Sequence, residues 1–287
     1  MDLNFSQVRA LVAEANPMVR QGVRNALYGM GFRDIIDTGM ITKAQEVCAT
    51  GGADLLVINS DLEGNDSSLL VREMRRMKVG NDPFVVVMSI LPVADEPHVR
   101  KVVDCGVDDM LLMPFSPDQM RTRMQTIISR RKPFVVTHDY IGPDRRKAPR
   151  PGTANANQLP VPNPVVARGS GVAPDRYKAM VEQATGTIRS QRVHSLAGYI
   201  RREGVELFAI GRDGQPLPDD LAYRMFRLET ILDELMEFSG NALDLRDFQR
   251  VCSDIKNAGS RTGFRELEAL YQHTTALSAR FGVSSAA

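Results

Sequence analysis

A chain of 287 residues is longer than one ordinary domain of roughly 100–200 residues and leaves room for two separate cores. Its 36 Lys and Arg against 35 Asp and Glu give a formal charge of +1, which excludes a polycation that coats nucleic acid or anionic lipid, so any such contact has to be local. Three scattered cysteines, Cys48, Cys105 and Cys252, exclude a disulfide framework and suit a reduced, cytoplasmic setting, and neither a signal-peptide pattern nor an apolar run of about 18 residues is present.

Strands are predicted at Arg9–Ala13, Asp34–Asp37, Asp54–Asn59, Phe84–Ser89 and Asp109–Leu112. Helices are predicted between and after them, at Pro17–Gly31, Thr42–Thr50, Asp66–Met77, Glu96–Cys105 and Ser116–Arg130. The runs Leu55-Leu56-Val57-Ile58 and Phe84-Val85-Val86-Val87-Met88 are apolar without alternation, as strands covered on both faces are. Alternating strands and helices predict an α/β doubly wound, parallel five-stranded sheet. Ligands of such sheets sit at the carboxyl ends of the strands.

The residues at those ends carry a resemblance. Ala10-Leu11-Val12-Ala13-Glu14-Ala15-Asn16-Pro17, Ala53 to Asn59, Val85 to Ser89 and Gly106 to Phe115, in this order and spacing, resemble a response-regulator receiver domain over about residues 7–130, a flavodoxin-like fold. The resemblance implies a phosphoacceptor carboxylate after the third strand, two acids after the first that hold magnesium, a Ser or Thr after the fourth and a lysine after the fifth. Those positions hold Asn59, Glu14, Ala15, Ser89 and Met113. An amide is no nucleophile, alanine removes a metal ligand and a thioether replaces a cation. The expectation is a degenerate pocket with no phosphotransfer, no cofactor and a lost magnesium site. Met110 also stands where the family's aromatic switch is expected. Asp61, Glu63 and Asp66 follow the third strand and could supply a displaced carboxylate; the alternative is a solvated loop, with Asp66 capping the next helix.

A basic extension over 131–150 follows. Its Phe134, Val135, Val136 and Tyr140 suit packing back on a domain surface, and Tyr140-Ile-Gly-Pro-Asp-Arg-Arg146 is similar to an extension found after some alphaproteobacterial receivers. Arg145, Arg146 and Arg150 form a candidate anion site, since Arg146 and Arg150 have the spacing with which some cyclic-dinucleotide-binding domains hold phosphate. Residues 151–174, rich in proline, are predicted to be a flexible linker.

Residues 175–283 are predicted to be all-α, a four-helix bundle. Leu221, Met225, Leu228, Leu232 and Leu235 make one apolar stripe; Phe248, Val251, Cys252 and Ile255 a second; Leu267, Leu270, Tyr271, Thr274 and Leu277 a third. A longer helical stretch runs from Asp175 to about Glu203. His194-Ser195-Leu196-Ala197-Gly198 partly resembles the site of a histidine phosphotransfer domain, and Ser253 to Phe264 resembles it at greater length, with Ser253 at the histidine position and Lys256 at the lysine position. A degenerate bundle that keeps a docking face is the implied reading, with phosphotransfer through His194 as the alternative.

The function expected is a bacterial signalling adaptor of the two-component or phosphorelay class, not an enzyme. Its expected partners are proteins: a histidine kinase, a receiver, another phosphorelay component, or a second copy in a homodimer. Neither membrane nor nucleic acid is expected. The rivals are a working phosphotransfer component and an effector that binds a cyclic dinucleotide.

Overall fold

The structure, a computed structural model, describes residues 3–146, 158–239, 243–258 and 263–283. It divides into two units: Met1–Val135 with Tyr140–Gly186, and Val136–Asp139 with Thr187–Ala287.

The first unit runs β1 (Arg9–Ala13), α1 (Pro17–Gly29), β2 (Asp34–Thr38), α2 (Ile41–Ala49), β3 (Leu55–Asn59), β4 (Asp61–Leu62), β5 (Asn65–Asp66), α3 (Ser68–Arg75), β6 (Val86–Leu91), α4 (Glu96–Cys105), β7 (Asp109–Leu112) and α5 (Pro117–Arg130). Five strands form the expected parallel sheet in the order β2-β1-β3-β6-β7. The unbroken apolar run of β3 is explained by its two faces. Leu56 and Ile58 pack with Val47 of α2, Val71 and Met74 of α3 and Val102 of α4. Leu55 and Val57 pack with Val23 and Leu27 of α1 and Met120 and Met124 of α5. Each face of the central strand therefore needs an apolar side chain.

Local chemistry sets the helix starts. Asn16 Oδ1 accepts the Met18 amide before Pro17 opens α1, Asp95 Oδ1 accepts the His98 amide at α4, and Ser116 and Gln119 form a reciprocal capping box at α5. Two of the boundaries that differ from the sequence expectation bear on the carboxyl edge of the sheet. The fourth strand is Val86–Leu91, two residues later than predicted. The third helix begins at Ser68, because residues 61–66 form a hairpin whose turn residues, Glu63 (φ 55°) and Gly64 (φ 75°), are both left-handed. Asp66 still serves the helix start, accepting the Ser68 amide at 3.0 Å.

Beyond α5 come β8 (Phe134–Val136), β9 (Ile141–Pro143), β10 (Gln158–Leu159), α6 (Pro164–Gly169) and α7 (Pro174–Arg212). The flexible linker expected over 151–174 is corrected from Gln158 onward; residues 147–157 lie outside the described residues. Gln158 and Leu159 pair with Val135 and Phe134, and Val165 of α6 is fully buried in the cluster formed with α1 and α5. Arg168 lies 3.5 Å from the buried Asp54, which Arg9 also grips at 2.8 Å. A short apolar segment in a proline-rich stretch can still bury itself where a surface is offered, and composition alone does not show the surface. The first unit continues to Gly186; Tyr177 of α7 donates to Asp82 Oδ2 at 2.7 Å.

In the second unit the rest of α7 joins α8 (Leu221–Ser239), α9 (Leu243–Ala258) and α10 (Phe264–Arg280). Four helices share one core that includes Leu196, Leu207, Leu228, Leu232, Phe248 and Leu270, so the helical expectation holds. The unit also contains the extended piece Val136–Asp139, which was expected in the basic extension. The fully buried Arg192 donates to Thr137 O and, through Nε at 2.9 Å and Nη2 at 2.5 Å, to Glu234 Oε1. His138 stacks on Tyr199 with centroids 4.2 Å apart. Among the described residues no helix is long and apolar enough to cross a membrane.

Gly204 of α7 is a packing requirement that the hydrophobic pattern does not reveal. A Cβ there would stand 2.3 Å from Thr274 Cγ2 and 3.1 Å from Thr274 Cβ, and Thr274 is fully buried and branched, so it cannot swing aside. Gly204→Ala is therefore expected to cost about 1–3 kcal/mol through overpacking. Thermal unfolding of the variant measures it, and an unchanged midpoint would refute the close-approach account.

Candidate functional site

The carboxyl edge of the sheet brings Glu14, which follows β1, against Asn59, the last residue of β3. Both are buried, at 2% and 5% exposure. Asn59 Nδ2 donates to Glu14 Oε2 at 2.9 Å, while Asn59 Oδ1 accepts the Asp61 amide at 3.0 Å. The two bonds fix which way the amide points, since reversing it would set two oxygens against each other. Glu14 Oε1 accepts the Asn16 amide at 2.8 Å. Each carboxylate oxygen thus already has an N–H partner.

The other expected pocket positions stand outside this closed group. Ala15 packs as a partly buried apolar residue in the cluster of α2, α3 and α4, as Met110 does. Ser89 is buried within β6, in register with Ile58 and Met110. Met113 packs with the α1 and α5 cluster. Of the hairpin acids, Asp61 and Glu63 are exposed, and Asp66 pairs with Lys101 of α4 at 2.9 Å. Burial raises the Asp66 carboxyl, but the hydrogen bonds from Lys101 and Ser68 outweigh it and lower the pKa. A contact that sequence reasoning missed sits beside Asn59, where Ser60 Oγ and His98 Nε2 lie 2.8 Å apart and tie the end of β3 to α4.

Magnesium is held through oxygen ligands. At the expected positions Glu14 is the one carboxylate, with both oxygens taken, and Asn59 turns its nitrogen toward it. The residues present do not fit a magnesium ion. Among the described residues no group of three His, Cys, Asp or Glu side chains is placed to hold a metal. Burial also pushes the thiols up, Cys48 and Cys252 to about 12 and Cys105 to about 11, so they are poor nucleophiles near neutral pH.

The basic extension is folded on itself. Phe134 lies edge-on to Phe84 at 5.6 Å, with the Arg75 and Arg131 guanidinium groups 5.1 and 5.4 Å from its centroid. The Tyr140–Arg146 motif has a structural explanation. The Tyr140 hydroxyl donates to Pro143 O at 2.7 Å, and its ring leaves no room at position 142, where a Cβ would meet the hydroxyl oxygen at 2.6 Å. Glycine is therefore required. Arg145 lies over the ring at 3.9 Å and bonds to Asp104. Arg146 forks onto Asp144 through Nε at 3.0 Å and Nη2 at 2.8 Å, which holds the Asp144 carboxyl far below the usual range. Of the expected anion site, Arg145 and Arg146 each pair with an aspartate of the same chain, Asp104 and Asp144. Arg150 lies outside the described residues.

The candidate helical positions lie on two helices, His194 on α7 and Ser253 and Lys256 on α9. His194 is exposed on α7, its Nδ1 2.9 Å from Ser190 O. Ser253 is half-buried on α9. Lys256 pairs with Glu229 at 3.1 Å and lies over the Phe226 ring at 4.6 Å, a contact the spacing on α9 alone could not show because its partners lie on α8.

Residues 10–125 match the sequence family described as the response regulator receiver domain. The chain is 29% identical over 98 residues to the cyclic di-GMP phosphodiesterase response regulator RpfG of Xanthomonas campestris, covering 34% of this chain and 25% of that protein. It is 28% identical over 130 residues to the transcriptional regulatory protein AruR of Pseudomonas aeruginosa, covering 42% and 50%. This chain therefore spans a quarter to a half of those relatives. A solved structure, the receiver domain of sensor histidine kinase PA1611 from Pseudomonas aeruginosa with magnesium in its cleft, is similar at 19% identity and a TM-score of 0.37, over 41% of this chain and 94% of that one.

Proposed function

We propose, from the premise that residues 10–125 are a response regulator receiver domain of a two-component signalling protein, that this chain is a cytoplasmic adaptor that signals by protein contact, with no phosphotransfer and no catalytic output. The observation that carries this reading is the Asn59 amide donated to Glu14. A phosphoacceptor must be a free carboxylate beside a cation, whereas here a neutral amide satisfies the remaining acid without either. Its partners are histidine kinases, receivers or other phosphorelay proteins, approached through a receiver surface whose shape does not depend on a phosphoryl group. The pairing of Arg145 and Arg146 with aspartates gives no support to cyclic-dinucleotide binding.

The test is incubation of the full chain with acetyl phosphate and magnesium, followed by intact mass spectrometry. The expected result is an unchanged mass. A phosphoryl adduct that disappears on changing Asp61, Glu63, Asp66 or His194 would overturn the proposal.

A further inference from the structure

Residues 196–200 of α7 are buried without interruption, although a helix on the outside of a bundle ordinarily leaves one face to solvent. Leu196, Ala197 and Ile200 are fully buried in the shared core. Tyr199 joins that core and also takes the His138 ring on its face, with centroids 4.2 Å apart and planes 16° from parallel. Hydrogen bonds accompany the stack: Arg192 donates to Thr137 O, and Ser195 Oγ donates to Val136 O at 3.4 Å. The segment Val136–Asp139 thus lies as a strap on α7 within the second unit. Arg192 takes its charge partner from Glu234 of α8 and not from the strap. Lifting the strap therefore costs Arg192 a carbonyl but leaves no buried cation alone.

His138 is half-buried, and its surroundings disfavour a positive charge. Burial is the first cause that holds its imidazole below the ordinary 6.5; Arg202 of α7, Arg227 of α8 and Arg192 of α7 add to it, and Asp139 on the strap itself opposes it. Carboxylates on the facing helices are engaged elsewhere, Glu234 with Arg192 and Glu203 with Arg224. Asp139 accepts the Thr137 hydroxyl at 2.6 Å. The Tyr199 face favours a cation, but Arg227 already lies over that ring at 5.4 Å, and desolvation and three guanidinium groups stand on the other side. A neutral imidazole suits this place, whereas an imidazolium there is desolvated and repelled. The stabilisation given by the stack is complete above the ordinary histidine value and is lost as the pH falls through the lower value of the folded chain.

We infer that His138 is an acid-sensitive catch: neutral, it holds Val136–Asp139 on α7 through the Tyr199 stack, and protonated among Arg192, Arg202 and Arg227 it lets the strap leave the bundle. This goes beyond the signalling reading and is independent of whether the receiver pocket transfers phosphate. The chain has four histidines, so the His138 ring resonances of the full chain can be identified by their loss in His138→Phe and followed by NMR from about pH 8 to about pH 5. A titration midpoint below 6.5 is expected, with the ring-current shift imposed by Tyr199 vanishing along the same curve. Arg202→Gln and Arg227→Gln are expected to raise that midpoint. His138→Phe keeps a ring on Tyr199 without a titrating nitrogen, so its melting temperature is expected to fall less than the wild type's between about pH 7.5 and about pH 5, by about 2 °C or more. A midpoint at or above 6.5, or one that neither arginine variant raises, would overturn the inference. So would a ring-current shift that survives protonation, or an equal fall in melting temperature for both proteins.

Discussion

Asp108→Ala is expected to lower the unfolding free energy of the first unit by about 3–5 kcal/mol, the usual cost of removing one partner from a buried ion pair. Asp108 is 2% exposed and faces Arg75, 1% exposed, at 2.9 Å. The same carboxylate accepts from Arg131 Nε at 2.8 Å and from the Val87 amide at 2.9 Å. Arg75 in turn donates to the carbonyls of Gly106, Pro83 and Val85 at 2.8, 2.5 and 2.8 Å. These carbonyls satisfy its N–H groups but carry no net charge, so removing Asp108 leaves a buried cation with partial dipoles alone. Burial already pushes the Arg75 pKa down, and Asp108 is the first group to oppose it. Urea unfolding of the full chain measures the effect, and a loss below about 1 kcal/mol would show that the network is dispensable. Arg131→Ala is expected to cost less, because Asp108 then keeps Arg75 as its partner.

Asn59→Asp is expected to turn the quiet pair at the sheet edge into a strained one. The new carboxylate oxygen stands about 2.9 Å from Glu14 Oε2 in place of the amide nitrogen, and two like charges so close in a buried site repel. After relaxation the expected cost is about 2–4 kcal/mol. The same change supplies a second oxygen ligand, so millimolar magnesium is expected to recover part of the loss by binding the folded form preferentially. The wild-type chain, whose Glu14 oxygens both accept N–H bonds, is expected to melt at the same temperature with and without magnesium. Paired thermal melts decide the matter: a wild-type midpoint raised by magnesium, or a variant as stable as wild type without it, would contradict the closed-pocket geometry. Phosphotransfer is not expected to return with this substitution alone, because Ala15 and Met113 still lack the second acid and the cation.

The sheet was legible because burial on both faces demands apolar side chains at consecutive positions, and Leu55 to Ile58 meet that demand with neighbours on both sides. The hairpin at 61–66 was not, because acidic and polar residues around one glycine suit a solvated loop equally well and only the left-handed Glu63 separates the two. Asn59 could be singled out from its position after the third strand. Where its amide points depended on the Asp61 amide and on Glu14, 45 residues away in sequence.

Residue type and local period were enough for the five strands of the parallel sheet and the helices between them, for the chemistry missing from the strand ends and for the apolar stripes of the second unit. Tertiary structure decided the partners. Arg145 and Arg146, adjacent in sequence, pair with two different aspartates, Asp104 and Asp144. Val136–Asp139 looks like part of a basic exit until Arg192 and Tyr199 hold it in the helical unit. Gly204 looks like a poor helix residue until Thr274 fills the space a side chain would occupy. Charge pairing and close packing act through space at a few ångströms, and the chain distance between such partners carries no trace of it.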